Sequence, residues 1–215
     1  KIDGLTRNVF RYQYNPNGWI TNRWTPEKGN TGYAYDNVGN LKSIAYGAST
    51  ISYAYNAVNW LTNMVDGVGT TALTYTPVGR LQTEDGPWAN DTATYTYVQG
   101  LRTALSLSQP SGSWSQGYGY DSGGRMASVV SPAGTFGYHY NFQPASSLVT
   151  GISLPNGAGI VNSFDALARL KETDLTNQWG HILDGYAYGL DSLGLRTNLV
   201  RNLGLTSSTV TAGFD

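Results

Sequence analysis

The chain has no cysteine among its 215 residues. This absence excludes a disulfide framework and any metal site built on thiolates, and it leaves the cellular compartment open. Charged residues make up 13 % of the sequence, about half of the usual share. The 13 basic and 14 acidic side chains give a net charge of −1. Nucleic-acid binding needs a basic stripe that neutralises phosphates, and the lysines and arginines here are scattered, so we expect no nucleic-acid partner.

Long apolar runs and histidines are also scarce. No stretch approaches the roughly 20 apolar residues that a membrane-spanning helix needs, so we expect no membrane span in this segment. The two histidines, His139 and His181, have no evident catalytic partner in the sequence. No glycine-rich loop opens a helix that could hold a phosphate. We therefore expect a segment without enzymatic activity, cofactor or metal ion.

Tyrosine and glycine, in contrast, are abundant and fall in a pattern that is clearest from Tyr33 to Ile44. Tyr33 and Tyr35 stand two residues apart and therefore project from one face of a strand. Asp36 and Gly39 are the preferred residue types for the first and last places of a type I turn, where the aspartate can accept a bond from the backbone two residues on. A second short strand follows, so the unit predicts a β-hairpin.

The pattern recurs about nine times along the chain, with its second aromatic position repeating every 20 to 26 residues. The aromatic positions are Tyr12, Tyr14, Tyr33, Tyr35, Tyr53, Tyr55, Tyr75, Tyr95, Tyr97, Tyr118, Tyr120, Tyr138, Tyr140 and Phe164. The turn positions are Asp36, Asp121, Asp165 and Asp191, with Gly18, Gly39, Gly79, Gly124 and Gly194 closing the turns. A lone hairpin is marginally stable in water, so these units are expected to stack side by side. The sequence predicts an all-β fold of tandem β-hairpins in one long antiparallel sheet, a single array over residues 1–215.

Three features of the repeat leave alternatives open or favour a structural role. Leu41 and Ile44 stand three apart, which places them on opposite faces of a strand unless a bulge intervenes. The turn aspartates could hold calcium, but each turn offers one carboxylate where calcium needs six to eight oxygens, so we expect turn capping. Successive tyrosines should form ladders in which each ring meets its equivalent in the next hairpin.

The tryptophans allow two interpretations. Trp19 and Trp60 occupy the repeat position that holds Arg80, Arg125 and Arg169 elsewhere, which favours packing between hairpins. Exposed tryptophans such as Trp88 or Trp114 could instead serve as platforms on which sugars stack.

The pattern Tyr-x-Tyr-Asp-x-x-Gly-Arg/Asn-Leu resembles the YD repeat of the Rhs family. That family includes bacterial polymorphic toxins, the shell-forming subunits of insecticidal toxin complexes and the teneurins. The resemblance covers nearly the whole chain and is clearest at Tyr33–Leu41 and Tyr118–Met126. It implies a curved or spiralling sheet that forms a hollow β-shell or filament wall. The segment Asp191-Ser192-Leu193-Gly194-Leu195 resembles an Asp-Pro-x-Gly-Leu motif associated with self-cleavage in the family, but it falls in repeat register and is interpreted as the ninth turn.

The resemblance implies a non-catalytic structural segment of a large secreted or cell-surface protein. In such a protein the shell could enclose a toxin. Its partners would be other YD repeats of the same polypeptide and an encapsulated toxin domain. Nine hairpins give about 18 strands and, at roughly 4.8 Å each, a sheet about 85 Å wide, which suits a section of wall better than a complete container. The ends of the chain suggest a fragment of a longer polypeptide. The alternative is an extracellular adhesion module that binds glycans or cell-surface proteins through exposed aromatics and rim loops.

Overall fold

The structure, a computed structural model, describes residues 10–141, 146–204 and 210–213. These residues form 19 β-strands and no helix. The first nine strands are β1 Arg11–Tyr14, β2 Ile20–Thr25, β3 Gly29–Tyr35, β4 Leu41–Tyr46, β5 Ser49–Tyr55, β6 Leu61–Val65, β7 Thr70–Tyr75, β8 Leu81–Asp85 and β9 Ala93–Val98. The others are β10 Leu101–Leu107, β11 Trp114–Tyr120, β12 Met126–Ser131, β13 Gly134–Tyr140, β14 Val149–Ser153, β15 Gly159–Phe164, β16 Leu170–Thr176, β17 Ile182–Leu190, β18 Arg196–Asn202 and β19 Val210–Gly213. The predicted all-β fold class is confirmed.

The chain divides into two compact units. The first contains the described residues up to Thr96 together with Ser106–Trp114, and the second contains Tyr97–Leu105 and the described residues from Ser115 onward. Strands β9 and β10 are therefore each shared between the units. In the first unit, β1 to β9 pair in chain order, each strand antiparallel to the next. In the second unit, β11 to β19 pair in the same way. Each unit is thus a run of tandem hairpins, as the sequence predicts.

Eight of the YD hairpins contain a bulge just after the turn. Tyr35 pairs with Leu41 and Ala34 pairs with Ser43, so Lys42 is an extra residue in β4. Two residues of the outgoing strand therefore oppose one residue of the incoming strand, which is the definition of a β-bulge. Because Ile44 pairs with Tyr33, the bulge returns Leu41 and Ile44 to the face that carries the tyrosines. The alternative left open by the sequence is settled in favour of a bulge.

The sheet has a half-buried aromatic face and a more exposed opposite face. Tyr53 and Tyr55 are partly buried, whereas Ala54 between them is exposed. No apolar side chain among the described residues is buried. Thr31, which is 6 % exposed, is the one buried polar residue among them. The apolar contacts therefore form a thin layer on the tyrosine face. The described residues contain no helix that could cross a membrane.

Candidate functional site

The YD turn is held by one side chain that accepts two backbone bonds. Asp36 Oδ1 accepts hydrogen bonds from the backbone N–H of Val38, at 3.0 Å, and of Asn40, at 2.8 Å. The N–H of Gly39 donates to the Asp36 carbonyl over 3.2 Å, and Gly39 has a φ of 98°. A left-handed residue at this place suits glycine, since it has no Cβ to clash. The sequence predicts the hydrogen bond from the N–H of Val38. The second hydrogen bond, from the N–H of Asn40, is not predicted by the turn preferences.

The same turn recurs in both units, with aspartate or asparagine at its first position, or with threonine in the turn that Gly79 closes. Asp121, Asp165 and Asp191 accept the same pair of backbone bonds as Asp36. Asn15 and Asn56 do so through their amide oxygens. The carboxylate charge is therefore not what makes the turn. Gly18, Gly79, Gly124 and Gly194 close their turns with φ between 76° and 86°.

The turn carboxylates are occupied by donors of the turn itself. In two of the repeats whose turn begins with aspartate, an arginine follows the glycine place. The backbone N–H of Arg125 and its guanidinium hold the pKa of Asp121 below its ordinary value of 3.8. The backbone N–H of Arg169 lowers the pKa of Asp165 in the same way, against a smaller opposing effect of desolvation, and the Arg169 guanidinium adds to it. No group of three or more acidic or histidine side chains with metal-binding geometry occurs within the described ranges.

The second tyrosine of a repeat is fixed by a hydrogen bond to the preceding repeat. Tyr55 donates its phenolic O–H to the carbonyl of Leu41 over 2.9 Å. Tyr35, Tyr75, Tyr120 and Tyr140 make equivalent bonds, to the carbonyls of Ile20, Leu61, Arg102 and Met126 at 2.8 to 3.0 Å. Each tyrosine therefore links its own hairpin to the previous one through a polar contact that the sequence pattern does not reveal.

The predicted ladder of like rings is wrong. Equivalent tyrosines lie two strands apart, since the outgoing strand of each hairpin intervenes, and two strands span roughly 9.6 Å. In three repeats the second tyrosine instead meets the residue that follows the left-handed turn position of the preceding repeat, which is Gly18, Asn59 or Gly124. Trp19 lies 5.2 Å from Tyr35, ring centre to ring centre, and Trp60 lies 5.3 Å from Tyr75. In the second unit, the guanidinium carbon of Arg125 lies 4.4 Å from the ring centre of Tyr140.

This position, which we call the slot, also reaches the turn of the next repeat. A Cβ at Gly39 would lie 2.8 Å from the Trp19 ring, and one at Gly79 would lie 2.6 Å from the Trp60 ring. Asn40, another slot residue, donates through Nδ2 to Asn59 Oδ1 at 2.8 Å. Slot residue Arg169 donates to the carbonyl of Asp191 at 2.9 Å. Within each unit the slot therefore joins successive turns along one edge of the sheet, as expected for Trp19 and Trp60.

The remaining predicted repeat residues lie on strands. Tyr12 and Tyr14 on β1 are 43 % and 59 % exposed. Tyr95, Tyr97, Tyr118, Tyr138 and Phe164 are partly buried. The segment from Asp191 to Leu195 forms the same turn as the other repeats, in agreement with its interpretation as the ninth turn.

One histidine has a partner that the sequence does not indicate. His139 Nε2 lies 2.6 Å from Ser153 Oγ, across the exposed faces of β13 and β14. A serine acts as a nucleophile when its histidine is held in turn by a third group. Among the described residues, no hydrogen bond orients the other ring nitrogen of His139. The pair therefore lacks the third member of a triad within this part of the chain.

Two tryptophans project into solvent. Trp88 is 66 % exposed and Trp179 is 73 % exposed, and both lie on connections that return the chain from one YD hairpin to the next. Trp114 begins β11 and is partly buried. Of the two platforms considered from the sequence, Trp88 is the exposed one.

No protein-family profile matches the chain, and no curated protein sequence matches it significantly. Solved structures do. A crystal structure of TcdB2-TccC3 aligns with 94 % of this chain at a TM-score of 0.57 and 10 % identity, over 13 % of its own length. The structure of the Photorhabdus luminescens Tc holotoxin pore aligns with the whole chain at a TM-score of 0.51 and 14 % identity, over 14 % of its own length. At these identities the similarity concerns the fold. The chain therefore shares the β-sheet fold of Tc toxin components, in agreement with the resemblance of its sequence to YD-repeat proteins of toxin complexes.

Proposed function

We propose that this chain is a non-catalytic section of the wall of a β-shell, in a large secreted or cell-surface protein of the Rhs/YD type. The observation that carries the proposal is the way the repeats are joined. Hairpin binds hairpin through the tyrosine hydroxyl and the slot residue, while no apolar side chain among the described residues is fully buried. Side-to-side attachment without a closed core suits a surface that is extended by adding repeats.

The similarity to Tc toxin components supports this role, since those proteins belong to a holotoxin assembly. The partners proposed here are further YD repeats of the same polypeptide and a toxin domain enclosed by the shell. An extracellular or cell-surface location follows from the same analogy. No catalytic role, cofactor or metal ion is part of the proposal.

The two faces of the sheet provide the test, because a shell has an inside and an outside. Ala34 points away from the tyrosine face, since it alternates with Tyr33 and Tyr35 along β3. Tyr46 lies on the tyrosine face, two residues beyond Ile44, which pairs with Tyr33. Both positions are exposed and belong to one hairpin. A single cysteine can be placed at either position, since this chain has none of its own.

The variants Ala34→Cys and Tyr46→Cys would be made in the polypeptide that carries this sequence in its source organism. Each native protein would be treated with N-ethylmaleimide or with a bulky polyethylene-glycol maleimide, and labelling would be read from the mass of the modified peptide. A shell wall predicts that the small reagent modifies both cysteines and the bulky one modifies only one of them. Full labelling in urea controls for intrinsic reactivity. Equal labelling of both native faces by the bulky reagent would rule out a closed shell and favour an open binding module.

The binding-module alternative is favoured by one observation, the exposure of Trp88 beside a cleft of the first unit. A binding role for that cleft is compatible with a wall, because the cleft lies at the end of strands and leaves the faces of the sheet free.

A further inference from the structure

The first unit carries an ordered cleft at the ends of its last strands. Two connections flank it, residues 86–92 between β8 and β9 and residues 108–113 between β10 and β11. Both are longer than the other return connections of this unit, which are residues 26–28, 47–48 and 66–69. Insertions in repeat proteins collect on one rim, where binding surfaces form. The cleft is lined by Thr71, Glu84, Pro87, Trp88, Gln109 and Pro110, among others.

The connection that carries Trp88 is braced on both sides. The backbone N–H of Trp88 donates to Asp91 Oδ2 at 3.0 Å, and the Thr92 hydroxyl donates to the Asp85 carboxylate. On one side, the Ser108 N–H donates to the Thr92 carbonyl at 2.9 Å, which ties the two connections together. On the other side, Pro87 packs so closely on residue 69 that a Cβ there would lie 2.6 Å from the proline ring. The exposed indole is therefore presented by a fixed loop.

The charged side chains that line the cleft are both acidic. Glu84 and Asp91 contribute carboxylates, and Gln109 contributes an amide. Asp91 Oδ1 is buried and has no hydrogen-bond partner among the described residues. That oxygen has no surface open to a ligand, whereas Glu84 and Gln109 are exposed, so these two side chains are the ones that can accept hydrogen bonds from the hydroxyls of a ligand. The acidic lining repels anions.

We propose that this cleft binds a neutral sugar, with one ring face stacked on Trp88 and its hydroxyls donating to the Glu84 carboxylate and the Gln109 amide oxygen. The negative face of an indole attracts the polarised C–H groups on the flat side of a pyranose ring. Carboxylate and amide oxygens accept hydrogen bonds from hydroxyls, and the amide also donates one. Acidic sugars are disfavoured by Glu84 and Asp91. The proposal is independent of the shell, since a container wall and an open module would both present this rim.

The test uses the six tryptophan indole N–H resonances of the purified chain. The resonance of Trp88 is identified by its absence in Trp88→Ala. The titrants would be the methyl glycosides of galactose, glucose and N-acetylglucosamine, and short oligosaccharides that end in these sugars. Glucuronic acid would serve as the acidic probe. We expect a neutral sugar to shift the Trp88 resonance alone. Isothermal titration calorimetry, which does not depend on that resonance, should show that Trp88→Ala weakens binding roughly tenfold.

Trp179→Ala is the matched control, since Trp179 is equally exposed but lies on a turn of the second unit, and it should bind like the parent. Glu84→Gln keeps the shape of the cleft and removes one charge, so it should raise the relative affinity for glucuronic acid. The proposal fails if no neutral sugar shifts the Trp88 resonance, if Trp88→Ala binds as well as the parent, or if glucuronic acid is preferred. Unchanged spectra of the other five indoles show that each variant is folded.

Discussion

Ala168 occupies, with a φ of 63°, the turn position that glycine fills in most repeats. A residue with a Cβ pays roughly 1–2 kcal/mol to adopt the left-handed conformation. The neighbouring bonds are those of an ordinary YD turn, since Asp165 caps it and Ala168 N–H donates to the Asp165 carbonyl at 3.0 Å. The strain is thus confined to one residue.

We expect Ala168→Gly to stabilise the second unit by about 1 kcal/mol, because the gain in the folded state exceeds the added freedom of the unfolded chain. Ala166→Gly in the same turn is the control. Ala166 has no positive φ, so glycine there should only add freedom to the unfolded chain and should be mildly destabilising. Urea unfolding of both variants measures the difference. Equal effects of the two substitutions would mean that the turn relaxes around Ala168.

At the scale of single residues, sequence patterns identify those side chains whose role is local. The Asp36 cap and the left-handed Gly39 follow from residue preferences at turns, and so does the tolerance for Asn59, which has a φ of 63°. The hydroxyl bond of Tyr55 to Leu41 is invisible in the sequence, because it depends on which strand lies beside the ring.

At the scale of the hairpin, the contact between slot and next turn decides how closely repeats approach. Gly79 and Gly18 have nearly the same backbone, with φ of 83° and 81°. They differ in their surroundings, since Trp60 lies against Gly79 whereas no atom lies within 4 Å of a Cβ at Gly18. The two glycines therefore separate the conformational need for glycine from the steric one.

We expect Gly18→Ala to destabilise the first unit by roughly 1–2 kcal/mol, which is the conformational strain of a left-handed alanine. Gly79→Ala should cost more, by roughly 1–3 kcal/mol, because its Cβ would overlap the Trp60 ring. In a Trp60→Ala background the excess should vanish, and Gly79→Ala should then resemble Gly18→Ala. Denaturant unfolding of the four variants completes this cycle. An excess that persists without Trp60 would show that the ring does not set the distance between turns.

The hairpin also marks where prediction from sequence stops. The turn residues predict a hairpin at every repeat, but the three-residue spacing of Leu41 and Ile44 leaves their faces undecided until the bulge at Lys42 is seen. The expectation of stacked tyrosines treats equivalent residues as neighbours in space. In a meander they are separated by a strand, and the true neighbour of Tyr75 is Trp60, 15 residues earlier.

At the scale of the whole molecule, each repeat contacts the repeats beside it in its own unit, so its stability depends on nearest neighbours rather than on a shared core. Proteins built in this way open locally, with protection that varies along the chain. The slot residue Trp60 belongs to the hairpin before β7 and contacts Tyr75 and the turn of the hairpin after it. Its removal should weaken one interface between repeats and leave distant ones intact.

We therefore expect Trp60→Ala to lower hydrogen-exchange protection roughly tenfold or more in β5 to β8, where the lost contacts lie, while β15 to β18 keep the protection of the parent. Exchange measured by mass spectrometry resolves these segments. The control is Trp179→Ala, which removes a ring that is 73 % exposed and should leave the protection of both segments unchanged. A uniform loss of protection over both units would contradict the nearest-neighbour account, since it would mean that the chain opens as one cooperative body. A local loss would locate the stability of this sheet in the contacts between successive turns, where the sequence places tryptophan, asparagine or arginine in most repeats.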